Sequence, residues 1–396
     1  MTDALYAGIM SGTSLDGVDA VVAAFPKETA LSFSGKDFRE PFCELRGSAF
    51  VPFPAALREE LFALQEAGAD ELARSARVAN ALADLYAQAT QEAARQAGVE
   101  AAQLRAVGVH GQTVRHCPTE AWSCQLNNPA RVAEHLGIDV VADFRSRDLA
   151  AGGQGAPLVP AFHAAMFGSA AKHRVIINIG GIANLTDLPP QGVVRGFDSG
   201  PGNVLLDTWY ARHQKGAFDH DGAWAASGQS SPALLAALLN EPFFSKAPPK
   251  STGRDLFHPA WLAAHLASFS SLSPADVQAT LLQLTATSIA VAVSKEAAGS
   301  EEIFVCGGGA YNTALISALR ALLAPRTVQA TDALGVSAQH VEALAFAWLA
   351  CETLARRPGN LPAATGAKGL RVLGAVYPGC AEPGIRDQES GGRGFV

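Results

Sequence analysis

Three features of this 396-residue sequence predict an α/β protein whose two domains face each other across a cleft. The first is a strand, tight turn and strand close to the N-terminus, with apolar runs Leu5 to Met10 and Ala20 to Phe25 around a polar turn. The second is an echo of that unit over residues 174–207. The third is a late strand, triple glycine and helix over residues 302–323. Two halves that each open with a turn able to hold an anion would place those turns on opposite sides of one cleft.

The opening turn carries Ser11, Gly12, Thr13 and Ser14, a source of hydroxyls, backbone N–H groups and one flexible glycine. Such a turn can form an anion nest. Asp16 and Asp19 follow at once, and carboxylates beside a phosphate nest suit Mg2+, which takes a few carboxylates, waters and phosphate oxygens. The alternative is a hairpin whose polar residues only satisfy turn geometry.

Residues 29–52 read as further strand and loop. Residues 55–98 are rich in Ala, Leu, Glu, Arg and Gln, and Leu72, Ala76, Ala79, Leu82 and Tyr86 recur at helical spacing, so this stretch reads as amphipathic helix ending near Gly98. Ala106 to Val109 is a short apolar strand running into a polar turn, His110-Gly-Gln112-Thr-Val-Arg-His116. His110, His116, Cys117 and Cys124 match no compact zinc spacing. A short helix, 128–137, and a strand, 138–142, lead to Asp143-Phe-Arg145-Ser-Arg147-Asp148 and a glycine-rich loop, a ligand site or a surface salt-bridge cluster.

In the echo, Arg174-Val-Ile-Ile-Asn178-Ile-Gly180-Gly181-Ile-Ala-Asn184-Leu-Thr186-Asp187 is again strand, small polar turn and strand. A third strand, Val193 to Phe197, ends in Asp198-Ser199-Gly200-Pro201-Gly202-Asn203, and Val204 begins a helix. Asp198 therefore reads either as a carboxylate aimed into the cleft or as that helix's N-cap. Residues 208–250 read as mostly irregular, with one helix at 232–240. The stretch 274–298 is an apolar core helix. Gly307, Gly308 and Gly309 then let a ligand approach the backbone at the start of a helix from about Asn312 to Leu323. A final apolar helix, Ala338 to Leu354, carries Glu342, and the tail from Pro378 is expected to be mobile.

Apolar residues make up 48% and charged residues 17%, which excludes a disordered chain, and the net charge of −7 argues against nucleic-acid or anionic-membrane partners. Six scattered Cys without a CxxC pair suit a reducing compartment. The N-terminus lacks a basic leader, and no run approaches bilayer-spanning length, so a cytoplasmic protein is expected. There is no GxxxxGK[ST] motif of a P-loop enzyme and no protein-kinase motif order.

The segments GIMSGTSLDGVDAVV, HGQTVRH, DFRSRDLAAGGQGAPLVP, NIGGIANLT, GFDSGPGNVLLD, KSTGRDLF, CGGGAYN, VEALAFAWLA and LGAVYPG resemble, in order, the anhydro-N-acetylmuramic acid kinases. The resemblance implies the two-domain actin-like ATPase architecture, ribonuclease-H-like in each half, with an interdomain nucleotide cleft. It implies an ATP- and Mg2+-dependent kinase of peptidoglycan recycling that opens the 1,6-anhydro ring with water and phosphorylates O6. Gly12, Thr13, Ser14, Leu15, Asp16, Gly17, Val18 and Asp19 would hold the ATP phosphates. Asn178, Gly180 and Gly181 would be the second phosphate turn, and Gly307, Gly308 and Gly309 would flank adenosine. Asp198 would be the catalytic base and Asp16 the metal ligand, while His110, Gln112, Arg145, Arg147 and Glu342 would lie at the sugar. The implied division is 1–145, 146–340, a returning helix and strand in 341–377, and a tail, 378–396; a homodimer is implied as well. Rival readings are another sugar kinase of the same superfold and a chaperone-like ATPase.

Overall fold

Apolar, β-branched runs at the start of each half build two sheets, and amphipathic helices cover them. The structure, a computed structural model, describes residues 3–12, 14–26 and 43–379. Ala4–Met10 (β1) and Gly17–Phe25 (β2) pair antiparallel from Ala4↔Phe25 to Met10↔Asp19. Glu44–Pro52 (β3) pairs antiparallel with β2. Two helices follow, Ala55–Ala63 (α1) and Glu71–Gln96 (α2). The helix buries Val78, Leu82, Tyr86, Ala89 and Ala93, but Leu72 is 90% exposed. The expected apolar stripe therefore begins later than its spacing suggests, because α2 buries side chains only from Val78 onward.

Ala106–Val109 (β4) lies parallel to β1. The segment expected to be a polar turn is mostly strand: Gln112–Cys117 (β5) pairs with Trp122–Leu126 (β6), and only His110-Gly111, with φ +80° at Gly111, makes the turn. Alternating residues and a cross-strand partner outweigh the polar composition there. Pro129–Leu136 (α3) starts on Asn128, whose side chain accepts the Arg131 N–H, and stops at Gly137, φ +69°. Asp139–Ala142 (β7) lies parallel to β4, and Ser146–Ala150 (α4) and Val159–Phe167 (α5) lead to the second half.

There Arg174–Ile179 (β8), Ile182–Leu188 (β9) and Arg195–Pro201 (β10) form an antiparallel meander. The third strand reaches Pro201, four residues beyond the expected end at Phe197, through a bulge between Asp198 and Gly200. After Val204–His213 (α6), the chain expected to be mostly irregular forms Ala223–Ser227 (α7), Pro232–Leu239 (α8), Pro242–Ser245 (α9) and Pro259–Leu266 (α10). Three of these begin with Pro, which suits the first helical turn. Pro274–Glu296 (α11) is long and apolar enough to cross a membrane, contrary to the expectation that no run is, but most of it is buried in the second core. Glu302–Cys306 (β11), Thr313–Leu323 (α12), the unforeseen four-residue Thr327–Ala330 (β12), Val341–Leu354 (α13), Pro362–Thr365 (α14) and Ala375–Tyr377 (β13) complete the chain.

The first sheet runs β13-β7-β4-β1-β2-β3 and the second β10-β9-β8-β11-β12. Apart from β13 the order is the same: a three-strand antiparallel meander, then two parallel strands. The echo in sequence is thus a duplicated topology, and it is the two-domain actin-like architecture. One core cluster packs α1, α2 and α3 on the outer face of the first sheet, and another packs α6, α8, α11 and α12 on the outer face of the second. The third cluster lies between the sheets and is filled by α5 and α13, including Phe162, Phe167 and Trp348.

Asp148 belongs to this scaffold. It is fully buried and accepts from the Gly155 N–H (2.9 Å), Asn360 Nδ2 (2.8 Å) and Thr365 Oγ1 (2.8 Å). It fastens the glycine-rich loop to the C-terminal segment. Asp148→Ala would strand three buried donors and is expected to cost about 2–3 kcal/mol, read as a lowered midpoint in thermal melting.

Candidate active site

The opening turn is held from behind. Ser11 Oγ and the Tyr86 hydroxyl lie 2.9 Å apart, and Gln112 Nε2 donates to the Gly12 carbonyl at 3.1 Å. Leu15 sits at φ 55° with its side chain in the core, and Val18 is buried beside it. A Cβ on Gly17 would meet the Val51 carbonyl at 2.5 Å. These three residues therefore offer a ligand backbone only. At Gly12 a Cβ would meet nothing nearer than Ser14 Oγ at 3.7 Å, an ordinary van der Waals contact, so the backbone there is not tightly packed. Asp16 is exposed and accepts from Ser14 Oγ at 2.7 Å. Thr13 lies outside the described residues.

The second turn is built the same way. The Gly202 and Asn203 N–H groups donate to the Gly181 and Gly180 carbonyls at 2.9 and 2.8 Å, which seats the start of α6 on the turn. Gly180 is likewise loosely packed, with Ile182 O the nearest atom at 3.7 Å from its Cβ position. The triple glycine docks on this turn. A Cβ on Gly307 (φ +78°) would strike Asn178 Oδ1, and one on Gly309 would strike Ile179, while Gly308 stays open. Three turns with open backbone form a cradle of the sort a nucleotide needs.

Asp198 lies in β10 at the bulge. Its own N–H donates to the Lys250 carbonyl at 3.1 Å, and its Oδ2 accepts the Thr252 N–H at 2.9 Å. The 250–252 strap thus grips it, which rules out the helix-cap reading: α6 has Asn203 at its N-cap, with no side-chain cap bond. Burial pushes the Asp198 carboxyl up to about 7, against the pull of the Thr252 N–H, Arg145 and Lys250. Arg145 comes from the end of β7. Its Nη1 donates to the Gly155 carbonyl at 2.6 Å, and its Nη2 and Nε point at His110 Nε2 at 2.7 and 3.2 Å. Burial lowers Arg145 to about 10, while Glu342, Asp198 and Asp148 favour its charge.

Glu342, on the first turn of α13, is raised by burial and by Asp19, and lowered by the Asn178 side chain and Arg145. Asp19 accepts from Gln339 Nε2 at 3.1 Å and is raised to about 6, by burial above all and by Asp16 besides. The structure thus brings Asp198, Arg145, His110, Glu342, Asn178 and Asp19 into one electrostatic neighbourhood drawn from both sheets. Arg147 is exposed on α4 and does not join it. Sequence reasoning left out the 250–252 strap as a grip on Asp198, and it left out Asp207 of α6. Asp207 is raised to about 7 by burial, with Arg254 lowering it and Asp16 raising it. The strap falls in the KSTGRDLF segment and Asp207 is one more helix residue, and neither shows its partner in the linear chain.

A family model described as anhydro-N-acetylmuramic acid kinase matches residues 4–379. The chain belongs to the anhydro-N-acetylmuramic acid kinase family. Two curated members of the family are similar over nearly their whole length. The Burkholderia cenocepacia protein is 54% identical over 381 residues, 95% of this chain and 97% of the relative. The Variovorax paradoxus protein is 52% identical over 387 residues, 96% of this chain and 100% of the relative. Solved structures are more distant. A ROK family glucokinase from Streptomyces griseus in complex with glucose and AMPPNP is 14% identical, with a TM-score of 0.39 over 87% of this chain and 98% of that one. Membership in the kinase family agrees with ATP use by this enzyme.

Proposed function

We propose that this enzyme cleaves the 1,6-anhydro ring of 1,6-anhydro-N-acetylmuramic acid with water and phosphorylates O6, with Asp198 as the base. The observation that carries the reading is the grip of the 250–252 strap on a part-buried carboxylate raised to about 7, beside the cationic Arg145. A base poised near the operating pH is what proton abstraction from water requires.

Asp198 takes a proton from water as the water oxygen bonds to C1. The C1–O6 bond breaks, O6 bonds to the γ-phosphorus and the bond to the β-phosphate oxygen breaks, leaving N-acetylmuramic acid 6-phosphate and ADP. When bound, ATP supplies the phosphoryl group and Mg2+ neutralises its developing charge. The open backbone at Gly12 and Gly180 suits the phosphates, and that at Gly308 suits the adenosine side. Asp16, an exposed carboxylate, suits Mg2+ bound directly or through water. Among the described residues no three His, Cys, Asp or Glu side chains converge, which fits an ion that keeps most of its waters. Arg145 and Glu342 orient the sugar; Gln112 braces the first phosphate turn from behind. The proposed domains are 1–145 with the returning 341–377, and 146–340, in a cytoplasmic homodimer; light scattering tests the dimer.

The test is product analysis in 18O-labelled water. Label at C1 of a 6-phosphate is expected. Phosphorylation of an ordinary hydroxyl without label would favour another sugar kinase, and ATP turnover with no sugar product a chaperone-like ATPase. The phosphate turn has its own test. Gly12→Ala adds a methyl that meets only an ordinary van der Waals contact with Ser14 Oγ, so the melting temperature is expected to hold while kcat/KM for ATP falls about 10- to 100-fold. An unchanged kcat/KM would remove this turn from the nucleotide site.

A further inference from the structure

We infer that His110 is a positioning residue, which holds the Arg145 guanidinium beside Asp198 without neutralising it. The inference rests on the reading of Asp198 as the base and gives a task to a buried side chain that this chemistry leaves unused.

His110 is 5% exposed and sits directly after β4, behind Arg145. Its Nε2 faces two guanidinium nitrogens, so it acts as acceptor and the ring proton lies on Nδ1. Burial and the Arg145 charge drive its pKa well below the usual histidine range, so the ring stays neutral. The ring packs against Phe346 of α13 with centroids 4.8 Å apart, and Phe346 in turn packs against Phe144, the residue before Arg145, at 5.5 Å. Two aromatic contacts thus fix acceptor and donor relative to each other.

The choice of acceptor matters. A carboxylate in this place would grip Arg145 more tightly but would cancel its charge. A neutral imidazole and the Gly155 carbonyl bind the N–H groups and leave the charge intact. Among the described residues no carboxylate lies within ion-pair distance of Arg145. The charged and titratable groups facing it are Glu342 of α13, Asp198 of β10, Asp148 of α4 and His116 of β5. Those facing Asp198 are Arg145 and Lys250. Arg145 therefore keeps a positive charge that favours the ionised forms of Asp198 and Glu342, and it is kept in place by a group that cannot quench it.

Two variants test this, each with kcat and KM for the anhydro-sugar measured over a pH series spanning neutrality, together with a melting temperature. His110→Phe keeps the ring against Phe346 but removes the acceptor. It is expected to lower kcat roughly 10-fold and to move the acid limb of the rate profile up by about one pH unit, since a displaced opposite charge no longer favours the ionised base. The KM for the sugar should change little. His110→Gln can return an acceptor near the Nε2 position and is expected to restore most of the rate and the limb. A raised KM with an unmoved limb would make His110 a direct sugar contact, and a lowered melting temperature with an unmoved limb would make it scaffold; either overturns the inference. An Asp198→Asn enzyme that keeps the wild-type rate and acid limb would instead defeat the reading of Asp198 as base. In that event NMR titration of the Asp198 carboxyl in the resting wild-type and His110→Phe proteins still decides the inference: an unchanged titration overturns it.

Discussion

Replacing Asp198 by Asn is expected to cut ATP-dependent product formation about 100- to 10,000-fold, the usual contribution of a positioned general base. Asn keeps an oxygen that can accept the Thr252 N–H, so the strap and the bulge should stay in place. The pH dependence follows from the same carboxyl. It is raised to about 7 by burial, and it works only when ionised, so the wild-type rate should fall as the pH drops below that value. Stability should move in the opposite sense. The folded-state value lies above the ordinary 3.8, so the unfolded chain ionises first and rising pH favours it between the two values. Removing the charge is therefore expected to leave the melting temperature at neutral pH equal or higher. Loss of activity with unimpaired stability identifies a group kept for chemistry; wild-type rates in Asp198→Asn would reduce it to a structural partner of the strap.

Gly8→Ala and Gly108→Ala are expected to be the most disruptive methyl additions among the described glycines. Both glycines lie on the first sheet where α13 crosses it. A Cβ on Gly8 would strike the Ala343 carbonyl and the Ala347 nitrogen, and one on Gly108 would strike the Phe346 carbonyl. The obstacles are helix backbone, which cannot rotate away as a side chain can. Overpacking of a core usually costs about 1–3 kcal/mol and sometimes more, and these contacts belong at the upper end or beyond. Thermal melting measures the loss. Activity at temperatures where the variants remain folded should also fall, because α13 carries Glu342. Near-wild-type stability in either variant would mean that the helix can move away from the sheet.

Much of this was legible in the chain. Met10 to Asp19 read as a turn between strands because apolar runs flank serine, threonine and glycine. Residues 174–207 read as its echo for the same reason, and the structure turns that likeness into a shared strand order. Local signals sufficed at Asn128 and Gly137, where cap and stop are chemical properties of single residues. What escaped depends on partners distant in sequence. Leu72 has helical spacing, but nothing near it says that the sheet ends before it does. The segment 112–117 became a strand because 122–126 pairs with it. Asp198 is gripped by residues more than 50 positions away, and Arg145 and His110 are 35 apart. For the site, the chain shows the types of group but hides which of them touch.

The layer of α5 and α13 between the two sheets has a mechanical consequence. A cleft enzyme of two lobes is easily pictured as a clam on a flexible strap. Here the lobes share a spine: α13 rests on β1 and β4 of one sheet through glycine-sized gaps, while residues of the other sheet, Ile176, Leu188 and Phe304, join the same core. Opening that spine would expose apolar surface, so a closure of the cleft would proceed by small sliding and rotation within the layer, a shear rather than a hinge. The first turn of α13 carries Glu342, whose carboxyl interacts with Asn178 and Arg145, so a slip of the spine would be felt at once in that charged cluster.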